Sequence, residues 1–329
     1  MLRGPLPTTV IQRWFDENPR IRSAGTRKQW GGHLRRLERR YPDKRLNEYT
    51  AEDLRDFLLF DPDGTPTARA HTTIAAVRCA LVSFFGWAHF VGLHPHDLTN
   101  ALKRLVVLNP HPVRERVWLQ PHELHAIFRA CYADRCELLG QRDALAIALA
   151  VQCGLRVHEL SNLCWGHVNL RNGTTSILGK GEKLATVALP KNLSELLTRW
   201  RSTATDGLGR LPNGDDPVLM SFRYEGGASF NSTRGLVAQW DTPCGINGLR
   251  TAIKKRGAAI GLPHLAPHDL RRTFAGRLED RGLPLRAIQH ALRHSSVATT
   301  ERYLADNPSK WRDQITNALD DIDISRRAG

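Results

Sequence analysis

Apolar residues recur at helical spacing along most of this chain and switch to strict alternation in one stretch. That limits the fold to a largely helical one carrying a small sheet. The plainest case is Ala68–Val91, where Ile74, Val77, Leu81, Phe84, Phe85, Trp87 and Ala88 keep one face apolar. Arg69, His71, Thr72 and Arg78 lie partly on the other face. Helices are also predicted over Thr8–Asn18, Ala24–Tyr41 and Ala51–Phe60, the last opened by Thr50 as N-cap with Glu52 and Asp53 in its first turn. A short helix near Leu98–Leu105 follows the Pro-punctuated segment around His94. Alternation over His167–Leu170, Thr174–Leu178 and Lys183–Leu189, with turns at Arg171-Asn-Gly and Gly179-Lys-Gly-Glu, predicts three short antiparallel strands. Helices resume over Arg142–Gln152, Asn192–Arg201, Ile246–Ile260, Asp269–Arg281, Leu285–Leu292, Ala298–Leu304 and Pro308–Ile322. The Gly-rich stretch Gly207–Gln239 has no readable period. The expected class is mainly α with a small antiparallel β-sheet (α+β).

At 329 residues the chain is long enough for two cores. VVLNPHPVRERV, with two prolines and no periodicity, reads as a linker. The expected division is a helical domain over 1–105, a linker over 106–118, a second domain over 119–305 and a C-terminal helix or tail over 306–329. Lys and Arg number 47 against 33 Asp and Glu, a formal charge of +14, in a chain of otherwise ordinary balance with 41% hydrophobic and 24% charged residues. Such an excess points to a polyanionic partner, nucleic acid foremost. No apolar run approaches the roughly 20 residues that span a bilayer, and the N-terminus does not read as a signal peptide, so a cytoplasmic protein is expected. The six cysteines are scattered without metal or redox spacing and suit reduced thiols. His122-Glu-Leu-His125 is not a zinc-binding HExxH, His94-Pro-His96 has no partner ligands, and no metal is predicted.

Several short motifs can carry chemistry, though each alone has an ordinary explanation. Gly154-Leu-Arg156-Val-His-Glu159 could hold an anion-binding guanidinium or a surface ion pair. Gly179-Lys180-Gly181 could project a lysine toward a ligand or form a solvated turn, and it is no nucleotide-binding P-loop. Pro267-His268-Asp-Leu-Arg271-Arg272 puts a histidine and an arginine on one face at a helix start, where anions are favoured. Leu292-Arg293-His294 ends a helix, and Thr299-Thr-Glu-Arg-Tyr303 places a tyrosine on the next one, where core packing is the usual role.

In this order the motifs closely resemble the catalytic domain of the tyrosine recombinase (phage integrase) family, over roughly Leu119 to Leu304. HDLRRTFA resembles the family's His-x-x-Arg box, and HSSVATTERY its histidine and nucleophile boxes. The N-terminal helices are similar to the family's core-binding domain, through EDLRDFL and VRCALVSFFGWAHFVGL. One departure stands out. Where the family has Leu-Gly-His this chain has Leu292-Arg293-His294, implying either an altered turn or an added phosphate contact.

The resemblance implies a site-specific recombinase that needs no metal, cofactor or ATP. Arg156 and Arg271 would bind the non-bridging oxygens, and Lys180 would protonate the leaving 5′ oxygen, with Lys183 as its competitor. His268 would accept the tyrosine proton or stabilise the phosphorane, and His294 would hydrogen-bond the phosphate. Tyr303 would form a 3′-phosphotyrosine, and Glu159 would orient the cluster. Arg69, Arg78, Arg272 and Arg293 are candidate DNA contacts. Expected partners are double-stranded DNA, three further copies of the chain in a tetramer, and accessory DNA-bending or directionality factors. The tail's apolar stripe at Trp311, Ile315 and Leu319 could dock on a neighbouring protomer or on its own domain. With the core-binding helices starting almost at the N-terminus, a compact integrase of a phage or mobile element is expected. Dimer resolution is the alternative, ahead of an inactive DNA-binding regulator. A topoisomerase is disfavoured by the small helical first domain and the HSSVATTERY spacing.

Overall fold

A computed structural model describes residues 4–19, 21, 23–105, 117–178, 184–224, 235–294 and 296–304, with backbone alone at 302–304. The chain divides into two compact units, Met1–Arg114 and Glu115–Gly329.

The first unit is helical: α1 (Ile11–Glu17), α2 (Ala24–Arg40), α3 (Ala51–Leu59), α4 (His71–Phe90) and α5 (Thr99–Arg104). The expected N-terminal helix is shorter because a 3-10 turn, Pro7–Val10, takes up its start. Thr50 caps α3 as predicted: its Oγ1 accepts from the Asp53 amide at 3.2 Å, and Asp53 accepts from the Thr50 amide at 2.7 Å. By length and composition α4 alone among the described helices could cross a membrane. Here it is instead a core helix, burying Ile74, Val77, Leu81, Phe84 and Phe85 among Trp14, Leu34, Leu37, Leu54 and Leu58. His94 closes this core, its ring nitrogens meeting the carbonyls of His96 and Tyr49 at 2.7 and 2.9 Å.

The second unit contains α6 (Pro121–Tyr132), α7 (Glu137–Cys153), α8 (Val157–Ser161), β1 (Val168–Asn169), β2 (Thr174–Leu178), β3 (Leu184–Ala188), α9 (Lys191–Leu208), β4 (Met220–Tyr224), β5 (Leu236–Pro243), α10 (Ile246–Ala258), α11 (Pro267–Glu279), α12 (Leu285–Leu292) and α13 (Val297–Leu304). Apolar on nearly every side, α7 is the central helix and is buried from Ala144 to Val151. Arg142, buried just ahead of that run, is paired rather than solvated. Asp143 accepts from Arg142 at 2.6 Å and from Arg256 at 2.7 Å, and Arg256 reaches Asp134 at 2.6 Å. This buried chain of charges fastens α10 to α7. The antiparallel order β1-β2-β3 agrees with the alternation, β2 turning Thr175 and Ile177 inward.

Two features differ from the sequence reading. A second hairpin, β4–β5, occupies the stretch without a period, and α9 runs on to Leu208. Both depend on remote packing. Trp240 of β5 lies so close to Gly207 that a Cβ there would meet its ring at 2.2 Å, and it packs near Trp200 at 5.7 Å between centroids. All six cysteines are free thiols.

Candidate active site

Two helix ends build the site. The first, α7, ends at Gly154 in the left-handed region (φ 60°), where glycine is required twice over, because a Cβ would also stand 2.5 Å from the ring of Phe274. The chain then turns through Leu155 to Arg156, the N-cap of α8. Glu159, three residues on and buried, accepts from the Arg156 amide at 2.7 Å and from its Nη1 at 2.8 Å. The carboxylate thus caps the helix and orients the guanidinium.

The second end is that of α12. Arg293 has φ 54° and ψ 43°, the only positive φ of a non-glycine among the described residues. The amides of Arg293 and His294 close the turn on the carbonyls of His290 and Gln289 at 2.9 and 3.1 Å. The turn therefore takes the left-handed, helix-closing form that glycine most often adopts. The Arg293 side chain turns inward: Nη2 donates to Glu159 at 2.7 Å and to the Gly154 carbonyl at 3.3 Å.

Arg271 of α11 joins the two ends. It is buried, and it donates to the carbonyls of Gly154 and Leu292. A guanidinium has more N–H donors than these two carbonyls use. Arg156 Nη2 also points at the carbonyls of Leu292 and Arg293, each at 3.5 Å. Next to Arg271 on α11, Arg272 donates to Asp269, one turn back, at 2.9 Å, and Asp269 caps the helix by accepting from the Ala266 amide at 2.9 Å.

The histidines answer to this field. Burial first, then Arg271, Arg156 and Arg293 with His268, hold the His294 imidazole at about 4. His268 is lowered in the same direction by burial and then by Arg272, Arg271 and Arg156, against an opposing pull from Asp269. Both rings are therefore neutral near pH 7. Glu159 is pushed up by burial but pulled down further by Arg293 and Arg156, so it stays ionised. His294 Nδ1 lies 3.0 Å from Oγ1 of the buried Thr300. Tyr303 is carried by α13 one turn beyond Thr300.

The structure thus brings Arg156, Glu159, His268, Arg271, Arg272, Arg293 and His294 together. Lys180 and Lys183 lie outside the described residues, as does the tail beyond Leu304. Arg69 and Arg78 belong to the first unit, where each is tied to backbone: Arg69 donates to Phe57 at 2.7 Å, and Arg78 to Leu105 at 2.6 Å. Sequence reasoning missed Asp269, Thr300 and the two carbonyls. Asp269 had a signal, as an acidic third residue of a Pro-started helix; the carbonyls had none.

Four guanidiniums against two buried carboxylates make a pocket suited to a phosphodiester. The phage integrase family model matches residues 117–310. The tyrosine recombinase XerC of Mycobacterium bovis (strain BCG / Pasteur 1173P2) is 31% identical over 86% of this chain and 88% of its own length. The chain belongs to the phage integrase family, the tyrosine recombinases, and is a site-specific DNA recombinase. In fold it is similar to the Tn1549 transposon integrase in complex with a circular intermediate DNA (TM-score 0.66, 15% identity, covering 96% of this chain and 100% of that one). It is likewise similar to a lambda integrase dimer bound to a COC′ core site (TM-score 0.63, 18% identity, 92% and 78% covered).

Proposed function

We propose that this recombinase cuts and rejoins duplex DNA with Tyr303 as nucleophile, within a synapse of four protomers and two DNA sites. The phenolic oxygen attacks phosphorus and the P–O5′ bond breaks, leaving a 3′-phosphotyrosine and a 5′-hydroxyl. Lys180 supplies the proton of the departing oxygen, and His268, kept neutral by burial and then by its arginine neighbours, takes the phenolic proton. The 5′-hydroxyl of another strand reverses the step, so the bond energy is retained and no ATP is needed. Arg156 and Arg271 bind the non-bridging oxygens, and His294 donates to the same phosphate. With the two carboxylates counted, the described arginines leave an excess of positive charge, which favours the phosphorane over the less negative diester.

The observation that carries this reading is the cross-link of the Gly154 and Leu292 carbonyls by Arg271, which with Arg156 acts electrostatically on both His268 and His294. Arg272 would add a contact beside the scissile phosphate. Arg69 and Arg78, already bonded to carbonyls, would contribute charge to binding of the backbone. The proposed setting is the cytoplasm, on DNA of a phage or mobile element, with accessory bending or directionality factors as partners. The match to XerC along most of both chains favours a second reading, resolution of chromosome or plasmid dimers.

Incubating the protein with sheared genomic DNA, isolating protein-linked fragments and sequencing their ends tests the scheme. Adducts at a few sequences that vanish in Tyr303→Phe are expected. Adducts that persist in that variant would overturn it. Ends at the borders of an inserted element support integration, whereas one chromosomal locus unconnected with any element supports dimer resolution. A substrate with sulfur at the bridging 5′ position, whose thiolate leaves without a proton, should restore cleavage to Lys180→Ala but not to Arg156→Ala.

A further inference from the structure

Arg293 stands where a left-handed turn calls for glycine, and every other positive φ among the described residues belongs to a glycine. Its side chain is only 13% exposed and ends on Glu159, whose own side chain is 1% exposed. The carboxylate is divided: Arg156 holds Oε1 at 2.8 Å, and Arg293 holds Oε2 at 2.7 Å. Arg293 also donates to Gly154 at 3.3 Å and, through Nη1, to Ala291 at 3.2 Å, so one guanidinium ties the end of α12 to the end of α7. Without it, Oε2 would keep only the Arg156 amide at 2.7 Å and could take a second bond from the Arg156 guanidinium, and a fork-to-fork pair would draw that guanidinium away from a phosphate. A strained backbone kept at this point, with its side chain spent on a buried carboxylate, is the pattern of a residue retained for function.

We propose that Arg293 is a positioning residue for strand cleavage: by occupying Oε2 of Glu159 it sets Arg156 and the His294 turn in one arrangement before DNA binds. The proposal rests on the recombinase reading above. A residue that only closed the turn would leave the chemistry unchanged when replaced by glycine. A direct phosphate ligand would weaken DNA binding in step with cleavage, and the buried Nε, which has no partner among the described residues, makes that the rival role.

Charge supplies a second readout. Among the described residues, the charged and titratable groups acting on His294 are Arg271 and His268 from α11, Arg156 from the α7–α8 turn, and Arg293 itself; Thr300 of α13 supplies its hydroxyl. Removing one cation from this set makes the ring easier to protonate. If cleavage needs neutral histidines, its acid limb then moves to higher pH.

The test uses the full chain and a nicked duplex carrying a sequence recovered by the genomic trapping, so that the cut strand cannot be resealed. Under single-turnover conditions Arg293→Gly should slow adduct formation about tenfold while duplex affinity changes less than about threefold, and its acid limb should move up in pH. Arg293→Lys, which keeps charge but loses the fork, should recover the pH profile and only part of the rate. Wild-type rate and an unmoved acid limb in Arg293→Gly would overturn the proposal, as would a loss of affinity matching the loss of rate. Failure of the recombinase reading looks different: the wild type itself would form no Tyr303-dependent adduct. In that event NMR titration of labelled histidines in the free protein still decides the geometry. His294 should titrate higher in Arg293→Gly than in wild type, and an unchanged value would sink the placement of Arg293.

Discussion

The second unit ends α7 and α12 in the same backbone turn, with φ and ψ of 60° and 34° at Gly154 and of 54° and 43° at Arg293. One position tolerates no side chain; the other carries one of the largest. The dihedral angles are common to both, so they do not decide the residue. What decides it is the space beyond Cα, filled by the Phe274 ring at Gly154 and opening toward Glu159 at Arg293. The two turns are also halves of one device, since the carbonyls of Gly154 and Leu292 are both held by Arg271.

Cutting that tie should have the largest effect. Arg271→Ala removes a proposed phosphate donor and frees both turns, so covalent adduct formation should fall by roughly 10²-fold or more. Duplex binding in a filter assay should fall far less, because most backbone charge remains. An adduct rate within a few fold of wild type would separate Arg271 from the chemistry and leave it a structural cross-link.

Gly154→Ala comes next and acts on stability. A Cβ in the left-handed region costs roughly 1–2 kcal/mol, and overpacking a buried site typically costs a further 1–3 kcal/mol. A total of about 2–5 kcal/mol is expected from urea unfolding. Combined with Phe274→Ala, which removes the colliding ring, the loss should be smaller than the sum of the two single losses. Simple additivity would mean that Phe274 is not what forbids a side chain there.

Acid should act on the two turns at different pH. His294 has its folded pKa depressed to about 4, so the unfolded chain binds its proton first, and stability falls as pH drops from about 6.5 toward 4. Glu159 is lowered from the ordinary carboxylate range by Arg293 and Arg156 against the cost of burial, so its contribution is lost only at more acid pH, below about 4.3. His294→Asn should reduce the first decline in the urea midpoint, which His33, also held at about 4, and His268 share, and Glu159→Gln should reduce the second. A single decline removed by either variant would show the two turns titrating as one unit.

The contrast also explains what could be read from residues alone. The α4 helix and the β1–β3 sheet announce themselves because inward-facing residues follow one another at fixed spacing, as Ile74, Val77 and Leu81 or Thr175 and Ile177 do. The β4–β5 hairpin does not, because Trp240 packs against Gly207 and Trp200 of α9, and no local period records such a contact. At the site the side-chain types were legible as ordered motifs. Their geometry was not: the joining groups are backbone carbonyls, and the Arg293–Glu159 pair spans 134 residues. The departure at Arg293 was visible, but its meaning depended on where a buried carboxylate lay.

The smallest expected effect is the most specific to the comparison. Glycine at position 293 loses the ion pair but relieves the backbone; alanine loses the pair and keeps the strain. Glu159 retains Arg156 in both, so neither variant leaves a buried charge without a partner, and the large penalty of breaking a buried pair does not apply. The difference between the variants then isolates the turn itself. Arg293→Ala should be less stable than Arg293→Gly by about 1 kcal/mol, measured as a difference in urea midpoint at equal slope. At position 154 the same glycine-to-alanine step should cost more, because Phe274 adds its collision. Equal costs at the two positions would mean that the ring yields freely and that conformation alone explains Gly154. No cost at position 293 would mean that the α12 turn relaxes out of the left-handed region once the guanidinium is gone, so that the pull of Glu159 holds the backbone there.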